Sequence, residues 1–186
     1  MEKRFCKSDY HAIVCLSDDI DNDMAKEITT ALSDLGTRFL NVPDARILLN
    51  INSTGGTVYD AFSIISAIKT CPVRVDTFVS GLAASSAFVI SLAGEKRYCS
   101  SLATYMFHSV SAISEGTMNN VQNDIEHTLD LQKRMVKFVQ KNSKIAGTLR
   151  LAFCPILCLT CLRIRTACYG IRPVLSLYDE YRSQYN

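Results

Sequence analysis

Apolar positions along this chain recur at two spacings, and the switch between them marks out alternating strands and helices. Ala12-Ile13-Val14-Cys15-Leu16 is a short apolar run closed by the acidic turn Ser17-Asp18-Asp19-Ile20-Asp21, which reads as a buried strand. Met24, Ile28, Ala31, Leu32, Leu35 and Phe39 then recur every three or four residues, the stripe of an amphipathic helix that Asp21 or Asn22 can cap. After the turn at Asn41-Val42-Pro43-Asp44, Arg46-Ile47-Leu48-Leu49-Asn50-Ile51 is apolar enough for the interior of a parallel sheet. Asn52-Ser53-Thr54-Gly55-Gly56 ends that strand, and Thr57 opens a helix with Asp60 in its first turn and Val58, Ala61, Phe62, Ile65 and Ile68 facing inward.

Cys71-Pro72 stops this helix, and Val73 to Val79 supplies a third strand. Gly81-Leu82-Ala83-Ala84-Ser85-Ser86-Ala87-Phe88 follows, running on into Val89-Ile90-Ser91-Leu92-Ala93-Gly94, so that Ser85 stands where a buried helix begins. Arg97-Tyr98-Cys99 and Thr104-Tyr105-Met106-Phe107-His108 read as two further short strands. Ser109 to Gly116 is small and polar, as a flexible segment or an exposed edge strand is. Thr117 caps a helix of more than twenty residues with Val121, Ile125, Leu129, Met135 or Val136, and Val139 on one face. Repeated strand-helix units predict an α/β fold with a mainly parallel sheet, and the long last helix is expected to project and pack against a partner chain.

Composition narrows the class. With 186 residues, 48% of them hydrophobic, the chain makes one well-packed domain. Twenty Lys+Arg against 18 Asp+Glu leave a formal charge of +2 and no basic run, so no nucleic-acid surface is expected. The longest apolar run, Leu151 to Leu162, is too short to span a bilayer, and the N-terminus has no apolar signal region. The expectation is a cytoplasmic protein with no membrane partner and free thiols. Four of its eight cysteines, Cys154, Cys158, Cys161 and Cys168, lack the paired C-x₂-C halves of a zinc site. No metal and no cofactor are expected.

Candidate chemistry gathers at the strand ends. Parallel strands followed by helices carry their loops at one sheet edge, so the Gly55-Gly56 turn and Ser85 are expected to be neighbours. The glycines fit neither G-x-x-x-x-G-K-[ST] nor G-x-G-x-x-G, and suit a close backbone approach to substrate better than phosphate binding. For Ser85 two readings stand. It is a capping residue of a core helix, or it is a nucleophile whose oxyanion is favoured by free helix N–H groups and the helix dipole. His108 ends a strand at the same edge, unlike His11 and His127, and a serine within reach of a histidine is the core of nucleophilic acyl transfer.

These residues resemble a family. Ile51-Asn52-Ser53-Thr54-Gly55-Gly56 is similar to the INSPGG turn of ClpP-type caseinolytic proteases, Gly81-Leu82-Ala83-Ala84-Ser85 to their GxAAS motif, and Met106-Phe107-His108 to the M-[IF]-H that carries their histidine. The order and intervals also fit, with a shortening of about two residues near Glu95-Lys96, and the match runs over roughly residues 11 to 145. The resemblance implies the ClpP/crotonase-like fold, Ser85 as nucleophile, His108 as general base, and the N–H groups of Gly56 and Ser86 as the oxyanion hole. It implies homo-oligomeric or mixed rings, an AAA+ unfoldase partner, unfolded polypeptide as substrate, and the Thr117 helix as the handle between two rings. Ser109 to Gly116 takes the place of the edge strand on which a peptide adds.

The chain departs from the family at Thr54 for proline, at Leu82 and Ser86 beside the nucleophile, and at Ala87 for a common glycine. The larger departure is the tail. From Ala146 to Tyr178 there is no Asp or Glu, and Arg172 follows Tyr169-Gly170-Ile171 where the family's triad acid is expected. The chain is therefore divided into a ClpP-like peptidase domain, residues 1–145, and a Cys- and Arg-rich tail, residues 146–186, with the third triad member unassigned. Two rivals remain: a ring subunit of low or no activity, and an acyl-CoA enzyme of the crotonase-like fold, which needs neither Ser85 nor His108.

Overall fold

The five runs read as strands all join one sheet. The computed structural model describes residues 6–143 and the backbone of residues 172–174. The strands are β1 (Ala12–Leu16), β2 (Arg46–Ser53), β3 (Arg74–Ala84), β4 (Arg97–Ser100), β5 (Thr104–Met106) and β6 (Arg172–Val174). They lie in the order β1-β2-β3-β4-β6, with β5 on the later half of β3, and every pairing is parallel. The α/β class and parallel sheet agree with the expectation. The tail contributes β6 to this sheet, while its four cysteines and Asp179, the first acid after the gap from Ala146 to Tyr178, lie outside the described residues.

The helices are α1 (Asn22–Arg38), α2 (Val58–Thr70), α3 (Ser86–Ser91) and α4 (Met118–Asn142). Asp21 caps α1 by accepting the Met24 N–H at 2.9 Å, and Thr57 caps α2 by accepting from Asp60. Ala25, Ile28 and Leu32 of α1, and Ala61, Ile64, Ile65 and Ile68 of α2, join Val14, Leu16, Ile47, Leu49, Ile51, Val75 and Val79 in one core. The strand members alternate, so they share one face of the sheet. Ile64, absent from the expected inward set, is fully buried there. On the opposite face Leu48 and Phe78 are buried apart from this cluster. There the Lys7 ammonium sits 5.4 Å from the centre of the Phe78 ring, and the Tyr10 hydroxyl donates to Asp76 at 3.0 Å.

Two elements differ from expectation. β3 runs to Ala84, five residues beyond Val79, because its later half finds a partner in β5: Leu82, Ala83 and Ala84 register with Thr104, Tyr105 and Met106. β2 slips against β3 there, with Ile51 opposite Val79 but Ser53 opposite Ala83, and Asn52 Oδ1 takes the Leu82 N–H at 3.0 Å. The second difference is in α4, whose apolar face is split. Leu131, Met135, Val136 and Val139 are buried, whereas Ile125 and Leu129 are about half exposed. The later part is tied down by Arg134 over the Phe62 ring at 4.7 Å, and by Arg97 Nη1 on the Asn142 carbonyl. Nearer its start, the Tyr59 hydroxyl meets His127 Nε2 with the two rings stacked. Among the described residues no helix is long and apolar enough to cross a membrane.

Candidate active site

The turn after β2 is built by hydrogen bonds that aim its glycines. Ser53 Oγ donates to the Asp18 carbonyl at 2.6 Å and accepts the Gly55 N–H at 3.1 Å. Ile20 then pairs with the turn on one side only, its N–H to Gly55 O and its carbonyl to the Thr57 N–H, both 2.8 Å. Gly56 turns its own carbonyl the other way, where it accepts from Ser86 Oγ at 3.2 Å. In this parallel bridge the bonds to Ile20 use Gly55 and Thr57, so the Gly56 N–H, like its carbonyl, points away from Ile20. Both glycines are required. A Cβ on Gly55, at φ 101°, would lie 2.7 Å from the Ala84 carbonyl oxygen and from Ser85 Cβ, and one on Gly56 would lie 2.1 Å from the Ile20 carbonyl oxygen. The glycine turn and Ser85 are therefore neighbours, as their places at one sheet edge require.

Ser85 joins β3 to α3 through a sharp backbone turn, with φ 53° and ψ −122°. For a residue with a Cβ this conformation costs about 1–3 kcal/mol and has to be held by its surroundings. The hold is visible: the Ser85 N–H donates to the Met106 carbonyl at 2.8 Å, and Gly55 packs against Ser85 from the other side. Ser85 occupies the N-cap position of α3, but its side chain caps nothing. The capping role does not describe what this hydroxyl does. Among the described residues Ser85 Oγ has no hydrogen-bond partner, whereas Ser86 is fully buried with its hydroxyl committed to Gly56. The N–H groups of Gly56 and Ser86 likewise donate to no described acceptor. The hydroxyl of half-buried Ser85 stands beside two unused backbone donors at a helix start, an arrangement able to receive a negatively charged oxygen.

Sheet register decides where His108 falls. Ala84 and Met106 are direct partners on neighbouring parallel strands, so Ser85 and His108 lie one and two residues past the same rung. Strands stand about 4.8 Å apart, which brings both positions to one edge. His11 is elsewhere, at the start of β1, where its ring packs 5.6 Å from Phe39 and its Nδ1 accepts from the Arg46 N–H at 3.4 Å.

A family model for Clp protease matches residues 4–148, which spans the whole of this site and the four helices. The chain belongs to the Clp protease family. Among curated Clp relatives, an ATP-dependent Clp protease proteolytic subunit 1 of Streptomyces coelicolor is 29% identical over 70% of this chain. An ATP-dependent Clp protease proteolytic subunit of Ligilactobacillus salivarius is 31% identical over 65% of it. The aligned part makes up 59% and 61% of these relatives, so the chain spans about three fifths of their length.

Within this Clp-family chain His108 is half-buried and borders a small cavity lined by Phe107, His108, Ser109, Val110, Gln132, Met135 and Val136. No carboxylate lines it, and no hydrogen bond joins His108 to Ser85 among the described residues. Ser109 to Gly116, expected as a flexible segment or an exposed edge strand, has no regular secondary structure here. Gln132 is the group sequence reasoning missed. It sits among apolar and charged positions of a long helix, and only the fold shows that it faces the histidine segment.

Proposed function

We propose that this chain is a serine peptidase subunit of a Clp-like compartmentalised protease. Ser85 is the nucleophile, His108 the general base, and the Gly56 and Ser86 N–H groups receive the oxyanion. The observation that carries the reading is the Ser85 elbow: a strained backbone that presents an uncommitted hydroxyl beside two uncommitted N–H groups. A serine hydroxyl near its ordinary pKa is a weak nucleophile, so it needs a base within reach, and a base tightens its contact only once substrate is in place. Carbonyl attack then forms a tetrahedral oxyanion, and losing one such donor costs about 10²–10³ in rate. Histidine carries the proton from Ser85 to the leaving amine, and water releases the acyl group by the same route.

The names of the two relatives support a proteolytic subunit that works with an ATPase, here an AAA+ unfoldase that delivers unfolded polypeptide. The exposed Ile125 and Leu129 of α4 fit a helix that packs between rings, either homo-oligomeric or mixed. Incubation with a fluorophosphonate is expected to add one label per chain at Ser85, and Ser85→Ala to abolish it. Labelling that persists in that variant, or that maps to Ser86, refutes the assignment.

A specific observation favours a second reading, a ring subunit of low activity. Among the described residues no acid lines the cavity at His108, and the sequence has none between Ala146 and Tyr178. Loss of the orienting carboxylate alone costs a serine peptidase about 10⁴ in kcat. Turnover measured beside a fully active Clp peptidase separates the two readings.

A further inference from the structure

The register that brings His108 to the site stops at Met106, and the sheet does not hold the chain beyond it. From Phe107 to Glu115 the backbone has no regular secondary structure. Its Phe107 ring packs 5.5 Å from the Phe88 ring of α3, and its described side-chain hydrogen bonds both run to α4: the Val110 N–H to Gln132 Oε1 at 3.1 Å, and Ser114 Oγ to Asp124 Oδ2 at 2.6 Å. Gln132 and Asp124 are eight residues apart, about 12 Å along a helix axis. The four residues from Val110 to Ser114 reach roughly 13–14 Å when extended. The segment thus runs along α4 in the opposite direction, pinned at both ends.

The pin nearer the histidine differs in kind from the far one. Gln132 binds the backbone two residues after His108, whereas Asp124 binds a side chain six residues after it. Gln132 also lines the cavity that His108 lines, and it is the polar residue α4 contributes there, beside Met135 and Val136. A backbone N–H has to meet the carboxamide oxygen, so this contact also fixes which way the amide is turned. We infer that Gln132 is the positioning residue for His108, its carboxamide holding the chain that carries the base at a cavity that no carboxylate lines among the described residues. The inference rests on His108 being the base.

The test uses the full chain in its native assembly, with Gln132→Leu, which keeps the bulk and removes the acceptor, and Gln132→Glu, which keeps an acceptor. In Gln132→Leu the fluorophosphonate labelling rate and kcat on a fluorogenic peptide fall about ten- to a hundredfold, as a base displaced by about 1 Å requires, while KM stays within about twofold. Exchange of the Val110 amide speeds up in parallel. Gln132→Glu restores labelling to within about threefold of wild type. If Gln132→Leu fails to fold by circular dichroism, Gln132→Met replaces it. Wild-type labelling together with unchanged Val110 exchange in the variant that lacks an acceptor overturns the inference. Should the wild type neither label nor cleave, it is the peptidase reading that fails. Val110 exchange and the His108 ring resonances then decide the positioning role: altered in Leu but not in Glu supports it, and unchanged in both overturns it.

Discussion

Gly55→Ala measures how tightly the two halves of the site are pressed together. Two costs arise. The first is backbone strain, because a φ of 101° is one that side chains rarely adopt; it amounts to about 1–3 kcal/mol. The second is steric, because the new methyl would stand 2.7 Å from Ser85 Cβ and from the Ala84 carbonyl oxygen, neither of which is the loose end of a side chain. Overpacking of this sort costs about 1–3 kcal/mol, while the stiffer unfolded alanine chain offsets about 0.4–1 kcal/mol. Gly116 supplies the control. Its φ is 125°, but a Cβ there meets only the movable Asn120 carboxamide at 3.2 Å. Strain is common to both positions, so Gly55→Ala is expected to be less stable than Gly116→Ala by about 1–3 kcal/mol. Guanidinium unfolding followed by circular dichroism at one protein concentration gives the difference. Because the displaced atoms belong to Ser85, fluorophosphonate labelling should also slow in the Gly55 variant and not in the Gly116 one. Two variants equal to within about 0.5 kcal/mol, with equal labelling rates, would refute the close approach.

Other expectations follow from groups far from the glycine turn. Burial, then the charge of Asp76 and the hydrogen bond to it, then Tyr98, push the Tyr10 hydroxyl well above the ordinary tyrosine value of 10.0. Its contribution to stability is therefore whole below about pH 10 and is lost as pH rises above that, because the unfolded chain ionises first. Tyr10→Phe should flatten this alkaline decline and lower neutral stability by roughly 1.5–3 kcal/mol, read from unfolding curves across pH. Charged replacements at Ile125 and Leu129 should break a large assembly into smaller species in sedimentation, each apolar side chain contributing about 1.5–3 kcal/mol when buried. A stable monomer of unchanged labelling rate would contradict the proposed role of α4.

Local pattern carried the fold as far as pattern reaches. The period of the α1 stripe, the Asp21 and Thr57 caps and the apolar run of β2 are each visible within a few residues of sequence, and each forms as read. The continuation of β3 to Ala84 is not a local property. Ser80-Gly81 looks like a turn, and the strand persists because Leu82 to Ala84 meet β5, twenty-two residues away in the chain. At the site, motif and spacing drew Ser85, Gly56 and His108 to one edge. What they left open was whether the serine caps its helix, and that depends on a backbone angle that residue type does not encode. Helical period gave α4 its apolar face and the expectation that it projects toward a partner, but not which part of that face, Ile125 and Leu129, stays uncovered in the single chain.

The division of β3 between two partners bears on the order of events during folding. One half pairs with β4 and the other with β5, and β2 lies along the opposite edge. Ser85 ends this strand, Gly56 follows β2, and His108 follows β5, so the three positions meet only after several distant parallel pairings have closed. Such pairings repay their loop entropy late, and sheets made of them fold slowly. A partly folded or newly made chain then holds a serine and a histidine but no working pair. On the proposed peptidase reading, the three positions come together only as the native core forms.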